Sequence, residues 1–258
     1  WSAAVGGGKS SPLSPKARLA SLSSRGVVGT GDNALIIGIG VADTAAKRYL
    51  ARAIGPGLVA FGVTDVVPDP QLTIYSATGV ELFRNNGWET GSQPAQLAQI
   101  SKSIGAYPLA SGSNDSALTG ELAPGFYSLE VASPSGQSGT GRAELYELDA
   151  NGRTTVLSTR VFVRSGEGAY VGGFVVTGPA YKRMLLRAVG PTLTTLGAAN
   201  ALPDPGLTLY SGPNTLATND RWEEGDNPDA VAAAGKAVGA FALAPNSEDA
   251  ALLLTLPP

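Results

Sequence analysis

Arg52-Ala53-Ile54-Gly55-Pro56 leads to Pro68-Asp69-Pro70-Gln71-Leu72-Thr73-Ile74-Tyr75-Ser76. The pair returns as Arg187-Ala188-Val189-Gly190-Pro191 and Pro203-Asp204-Pro205-Gly206-Leu207-Thr208-Leu209-Tyr210-Ser211, every residue 135 positions further on. The register extends outward in both directions. Ser23-Ser24-Arg25 recurs as Ser158-Thr159-Arg160, and Lys47-Arg48 as Lys182-Arg183. After a one-residue deletion the offset becomes 134, and Trp88 pairs with Trp222, Lys102 with Lys236, Gly105 with Gly239 and Asp115 with Asp249. A fixed spacing held over this many positions marks a duplicated structural unit. The 258-residue chain therefore carries one module twice, preceded by a Gly/Ser/Pro-rich arm, with divisions at 1–18, 19–150 and 151–258.

Short β-branched and aromatic runs separated by turn residues predict strands near 19–28, 34–41, 48–54, 71–76, 81–85, 116–122, 126–132 and 142–149, the first six repeated in the second module. Pro94 to Lys102 and Pro228 to Lys236 open with proline and space their apolar residues as a helix does. Leu58 to Phe61 suggests one more helical turn. The expected fold is all-β: two tandem antiparallel β-sandwich, jelly-roll-like modules, each with one short helix.

The two copies are unequal. Module one continues past Leu122 into Phe126 to Val131 and Ala143 to Leu148, which read as a closing hairpin. Module two reaches Leu254-Thr255-Leu256-Pro257-Pro258 and has no counterpart. A sandwich short of two strands exposes backbone donors and acceptors and a strip of core. The expectation is that strands of a neighbouring subunit, or residues beyond Pro258, complete it. Between the modules Asn151-Gly152 is a strong hairpin-turn signal, predicting a nearly direct joint and an elongated, stiff pair.

Composition excludes much chemistry. There is no cysteine and no histidine, so disulfides, thiolate or imidazole metal sites and His-based triads are ruled out. A net charge of −3 offers no basic field for nucleic acid or an anionic membrane, and no apolar run is long enough for insertion. Trp1 begins neither a signal peptide nor an initiator-Met sequence, so the chain reads as a processed or excised segment. Gly38-Ile39-Gly40-Val41-Ala42-Asp43 lacks the third glycine of a dinucleotide fingerprint. No paired carboxylates or Ser/Lys signature marks an active site, so the reading is not an enzyme, with no cofactor and no metal.

The motifs Arg-Ala-Ile/Val-Gly-Pro and Asp-Pro-x-Leu-Thr-Ile/Leu-Tyr-Ser, followed by Asn-x-x-Trp and Leu-x-Pro-Gly-x-Tyr, resemble a tandem β-sandwich repeat module of large secreted bacterial surface proteins. The Asp-Pro-x-Leu and Pro-Gly-x-Tyr portions are also similar to the bacterial pre-peptidase C-terminal domain. The resemblance runs from about Leu19 onward and implies export and an accessory or structural role, hence an extracellular or cell-surface location.

Arg52 and Arg187 stand in apolar strands and need buried carboxylates; the candidates are Asp69 and Asp115, and their copies Asp204 and Asp249. Trp88 and Trp222 are read as aromatic braces, with sugar stacking as the alternative. Asp69, Asn85, Asp115 and their copies also offer oxygens to calcium. Trp1, Ala3 and Val5 alternate as a strand would, and with Leu254 and Leu256 form the candidate assembly residues. The functional expectation is a non-enzymatic structural unit of a surface fibre, stalk or layer, self-assembling with identical subunits by strand complementation. The alternative is a secreted glycan- or calcium-binding adhesion module.

Overall fold

The computed structural model describes residues 17–42, 44–91, 93–149, 153–164, 169–225 and 227–258. The first repeat forms β1 (Arg18–Val28), β2 (Leu35–Ala42), β3 (Lys47–Ile54), β4 (Gln71–Ser76), β5 (Glu81–Asn85), helix α1 (Pro94–Ser103), β6 (Ser116–Leu122), β7 (Gly125–Ala132) and β8 (Gly139–Glu147). The second forms β9 (Arg153–Arg160), β10 (Val171–Thr177), β11 (Lys182–Ala188), α2 (Pro191–Thr195), β12 (Leu207–Ser211), β13 (Asn214–Asn219), α3 (Pro228–Ala237) and β14 (Ala250–Leu256). A 3-10 turn at Pro56–Phe61 is the first repeat's counterpart of α2.

Period-two patterning drives the sandwich. Leu35, Ile37, Ile39 and Val41 fall on one face of β2 and are all buried, where they meet Tyr49, Ala51, Leu72, Ile74, Leu129, Val131, Ala143 and Leu145. Two antiparallel five-stranded sheets enclose this core, in the orders β10-β1-β8-β3-β6 and β5-β4-β7-β2-β9. Helix α1 covers the outer face of the first sheet, with Leu97 against Leu50 and Ala117. The fold is all-β.

The repeats interlock rather than follow one another as separate sandwiches. β9 pairs with β2 (Ile39 opposite Leu157), and β10 pairs with β1 (Leu22 opposite Phe174). Strand one of the second repeat thus lies on strand two of the first, and strand two on strand one. Each pairing covers an edge that β1 or β2 would otherwise leave open. The division at residue 150 therefore separates the copies in sequence, while both five-stranded sheets cross it.

Two hairpin expectations are corrected by this topology. Asn151-Gly152 lies outside the described residues, but β8 and β9, on either side of it, belong to different sheets. Nor is the pair β7–β8 a hairpin. β7 lies between β4 and β2 and β8 between β3 and β1, so the connection arches from one sheet to the other. Each strand enters the middle of a sheet, where both of its edges are satisfied. Sequence shows two β-rich runs and a turn in either case, and only long-range pairing tells an arch from a hairpin.

Candidate assembly site

The repeated Gly-Pro step is a backbone crossing. A Cβ on Gly55 would lie 2.0 Å from the Val67 carbonyl oxygen, and one on Gly190 would lie 1.8 Å from that of Leu202, so only glycine fits. The helical turn that follows begins at a proline, which has no N–H to satisfy. A buried carboxylate takes the neighbouring amides. Asp115 accepts from Gly55 N (2.8 Å) and Gly57 N (3.1 Å) and from the Ser113 hydroxyl (2.9 Å). Asp249 accepts from Gly190 N (2.7 Å), Thr192 N (3.1 Å), the Ser247 hydroxyl (2.7 Å) and the Thr192 hydroxyl. Burial raises the Asp249 pKa, but the Thr192, Gly190 and Ser247 hydrogen bonds outweigh it and hold the carboxyl below its ordinary value.

These aspartates are therefore occupied, and the arginine partner lies elsewhere. Arg52, with none of its surface exposed, pairs with Glu144 on the adjacent strand (Nε to Oε2, 3.2 Å), the residue directly opposite it in the β3–β8 ladder. It also donates to the Tyr107 carbonyl at 2.8 Å and lies 4.6 Å from the centre of that ring. Arg142 reaches the other Glu144 oxygen at 3.0 Å, and the Tyr146 hydroxyl donates to the carboxylate at 3.1 Å. Burial, with the Glu144 charge adding to it, pushes the Tyr146 phenol up to about 12. Neither Asp69, half-buried, nor Asp204, exposed, takes part. A second buried cation follows the same logic: Lys47 pairs with Glu147 at 3.1 Å and donates to the Asp149 carbonyl at 3.0 Å. Sequence reasoning overlooked Glu144 and Glu147. Their spacing within an apolar strand, Ala143-Glu144-Leu145-Tyr146-Glu147, was the available signal.

The second repeat keeps the cations, and its described residues up to Pro258 include no counterpart of β8. Arg187 donates to the Phe241 carbonyl (2.7 Å) with that ring 4.5 Å away, repeating the Tyr107 contacts. Among the described residues no carboxylate lies within ion-pair distance of Arg187 or of Lys182, the copy of Lys47. Burial lowers the Arg187 pKa, with Asp249 partly opposing the shift. The open positions match the absent strands. β11 pairs only with β14 and β12 only with β13, while β9 and β10 are sheet edges. Met184, Leu186, Leu207, Leu209, Leu252, Leu254 and Leu256 are all half-exposed, whereas Tyr49, Ala51, Leu72, Ile74 and Leu122 in the first repeat are at most 1 % exposed.

Leu254 and Leu256, singled out from the sequence, thus lie on β14 opposite Met184 and Lys182. Trp1, Ala3 and Val5 lie outside the described residues. The tryptophans brace loops: Trp88 Nε1 donates to Ala110 O (3.0 Å) and its amide to Asp115 O (2.7 Å), and Trp222 makes the same two bonds to Ala244 O (3.1 Å) and Asp249 O (2.8 Å). Asn85 and Asn219 direct their Oδ1 atoms at the amides of Ala117 and Ala251. The oxygens considered for calcium at Asn85 and Asp115 thus face N–H donors. Among the described residues no helix is long and apolar enough to cross a membrane. No protein-family model matches the chain, and no curated protein matches it.

Proposed function

We propose that this chain is a non-enzymatic extracellular structural protein, a building unit of a surface fibre, stalk or layer, joined to neighbouring subunits by β-strand complementation. One observation carries the reading. Four strands of the second repeat, β9, β10, β11 and β12, lack a neighbour on the side where the first repeat inserts β7 and β8. Apolar residues line the same region in a half-exposed state. An open edge flanked by apolar surface is a template for another strand, and contacts that do not close on themselves propagate. The motif resemblance to secreted bacterial surface modules and the absence of cysteine agree with this role.

Light scattering across a concentration series tests the proposal, with growth in mass as the expected result. A compact monomer at every attainable concentration overturns it. Deleting residues 1–18 in the same assay asks whether the arm contributes; unchanged assemblies exclude it as a donor.

A second reading, glycan adhesion, draws on a groove of about 590 Å³ on the first sheet, lined by Arg18, Arg142, Tyr146, Glu147 and Phe174 among others. Its size and its mix of aromatic and charged side chains suit a small polar ligand. Saturable glycan binding lost in Tyr146→Ala would favour it, and loss only in Trp88→Ala and Trp222→Ala would move the site to the braces.

A further inference from the structure

We infer that the second repeat is a receptor for a single polypeptide strand pair of the Gly125–Glu147 type, which enters one strand into each sheet and brings one carboxylate to Arg187 and another to Lys182. The inference rests on the complementation reading and specifies its partner. The first repeat supplies the pattern. β7 bonds to β2 and β4, and β8 bonds to β1 and β3. The copies of those four strands are β10, β12, β9 and β11, and each of them has an edge to spare. The occupant's first strand therefore belongs between β10 and β12, and its second between β9 and β11. A hairpin added to one edge satisfies two of these edges and leaves the other two open. An arch satisfies all four.

Side chains set the occupant's chemistry. Leu129 and Val131 on β7, with Ala143 and Leu145 on β8, fill the first core and are at most 3 % exposed. Their counterparts must cover Met184, Leu186, Leu207 and Leu209. Glu144 lies directly opposite Arg52 in the ladder, and Glu147 reaches Lys47. Both cations are kept in the second repeat, three-dimensionally equivalent by the shared register of β3–β6 and β11–β14: Lys47 faces Leu122 as Lys182 faces Leu256, and Arg52 faces Ala117 as Arg187 faces Ala251. A strand with acidic residues three apart answers both.

The occupant is a strand pair of that acidic, apolar-alternating pattern other than β7 and β8, because the described residues hold one such pair and use it in the first repeat.

The probe is a synthetic peptide of residues 123–149 added to the full 258-residue chain. Expected results are saturable one-to-one binding and slowed amide exchange in β9, β10, β11 and β12. Peptides carrying Glu144→Gln should bind about tenfold more weakly, the loss of one partly buried ion pair. In the Arg187→Leu chain, native and Glu144→Gln peptides should bind alike. A scrambled peptide should not bind. Absence of binding to a chain whose β1–β8 amides are protected overturns the inference, as does binding indifferent to Glu144, Glu147, Arg187 and Lys182. Should the free peptide aggregate, the same sequence joined after Pro258 through a flexible linker serves instead. Protection of β11 and β12 is then the expected outcome, and unchanged exchange there overturns it. Light scattering separates the two proposals. Assembly that the peptide neither joins nor inhibits removes this inference and leaves the structural role, whereas peptide binding to a chain that never self-associates does the reverse.

Discussion

Ile74 and Leu209 occupy the same position in two copies of one module, yet the first is sealed in a core and the second is half-exposed. Arg52 and Arg187 differ in the same way: one is enclosed with Glu144, and the other holds its aromatic and carbonyl contacts with no carboxylate at ion-pair distance among the described residues. Local sequence is nearly identical at these sites, so the difference comes from two strands placed far along the chain. Burial in a sandwich is a property of the sheet's middle, and β7 and β8 are the middle.

The comparison breaks most readily at the arginines. Arg52→Leu leaves Glu144 buried without its main cation, and unfolding should become easier by about 3–5 kcal/mol. Arg187→Leu strands no carboxylate and should cost about 1 kcal/mol or less. Equal losses in denaturant unfolding would mean that Arg187 has an acidic partner in solution. Ile74→Ala should cost about 2–5 kcal/mol through a cavity in a closed core, and Leu209→Ala roughly 1 kcal/mol where water already reaches the side chain. A filled receptor in the second repeat should raise the Leu209 value toward that of Ile74, so repeating the measurement with peptide sharpens the contrast.

A smaller effect separates the repeats by rate. Amides of β11 and β12 should exchange with solvent well before those of β3 and β4, because the latter pair on both edges and the former on one. Similar protection would show that the open edges are covered. The smallest effect is electrostatic. The Asp249 pKa is lowered in the folded chain, so its contribution to stability is present above about pH 4 and is lost as the pH falls through the folded value. Asp249→Asn should flatten the acid limb of the stability profile between about pH 2 and 5, and an unchanged limb would assign that limb to other carboxylates.

Much of the fold was legible. Strands β4, β5 and β6 fall on the residues that alternation and turn signals indicate, and both ten-residue helices begin at the expected prolines. The duplication was legible too, because a fixed offset needs no structure to be seen. The candidate site was legible only in part. Arg52 was recognisable as a buried cation, since an arginine among Ala and Ile has no other use for its charge. Its partner was not, because Asp69 and Asp115 were the acidic residues considered and only the β3–β8 register brings Glu144 opposite it. Asp115 and Asp249 were assigned to the arginines when their oxygens serve the amides behind Gly-Pro steps.

What the sequence by itself determined is therefore the module, its duplication and its all-β character. These follow from local patterning and from comparing the chain with itself. What only the tertiary structure decided is the crossed pairing of β9 with β2 and β10 with β1, the arch of β7 and β8, and the strand edges left open by its absence in the second repeat. Strand pairing joins backbone groups far apart in the chain, and backbone groups are the same at every residue, so the choice of neighbour leaves almost no trace in the residues that make it.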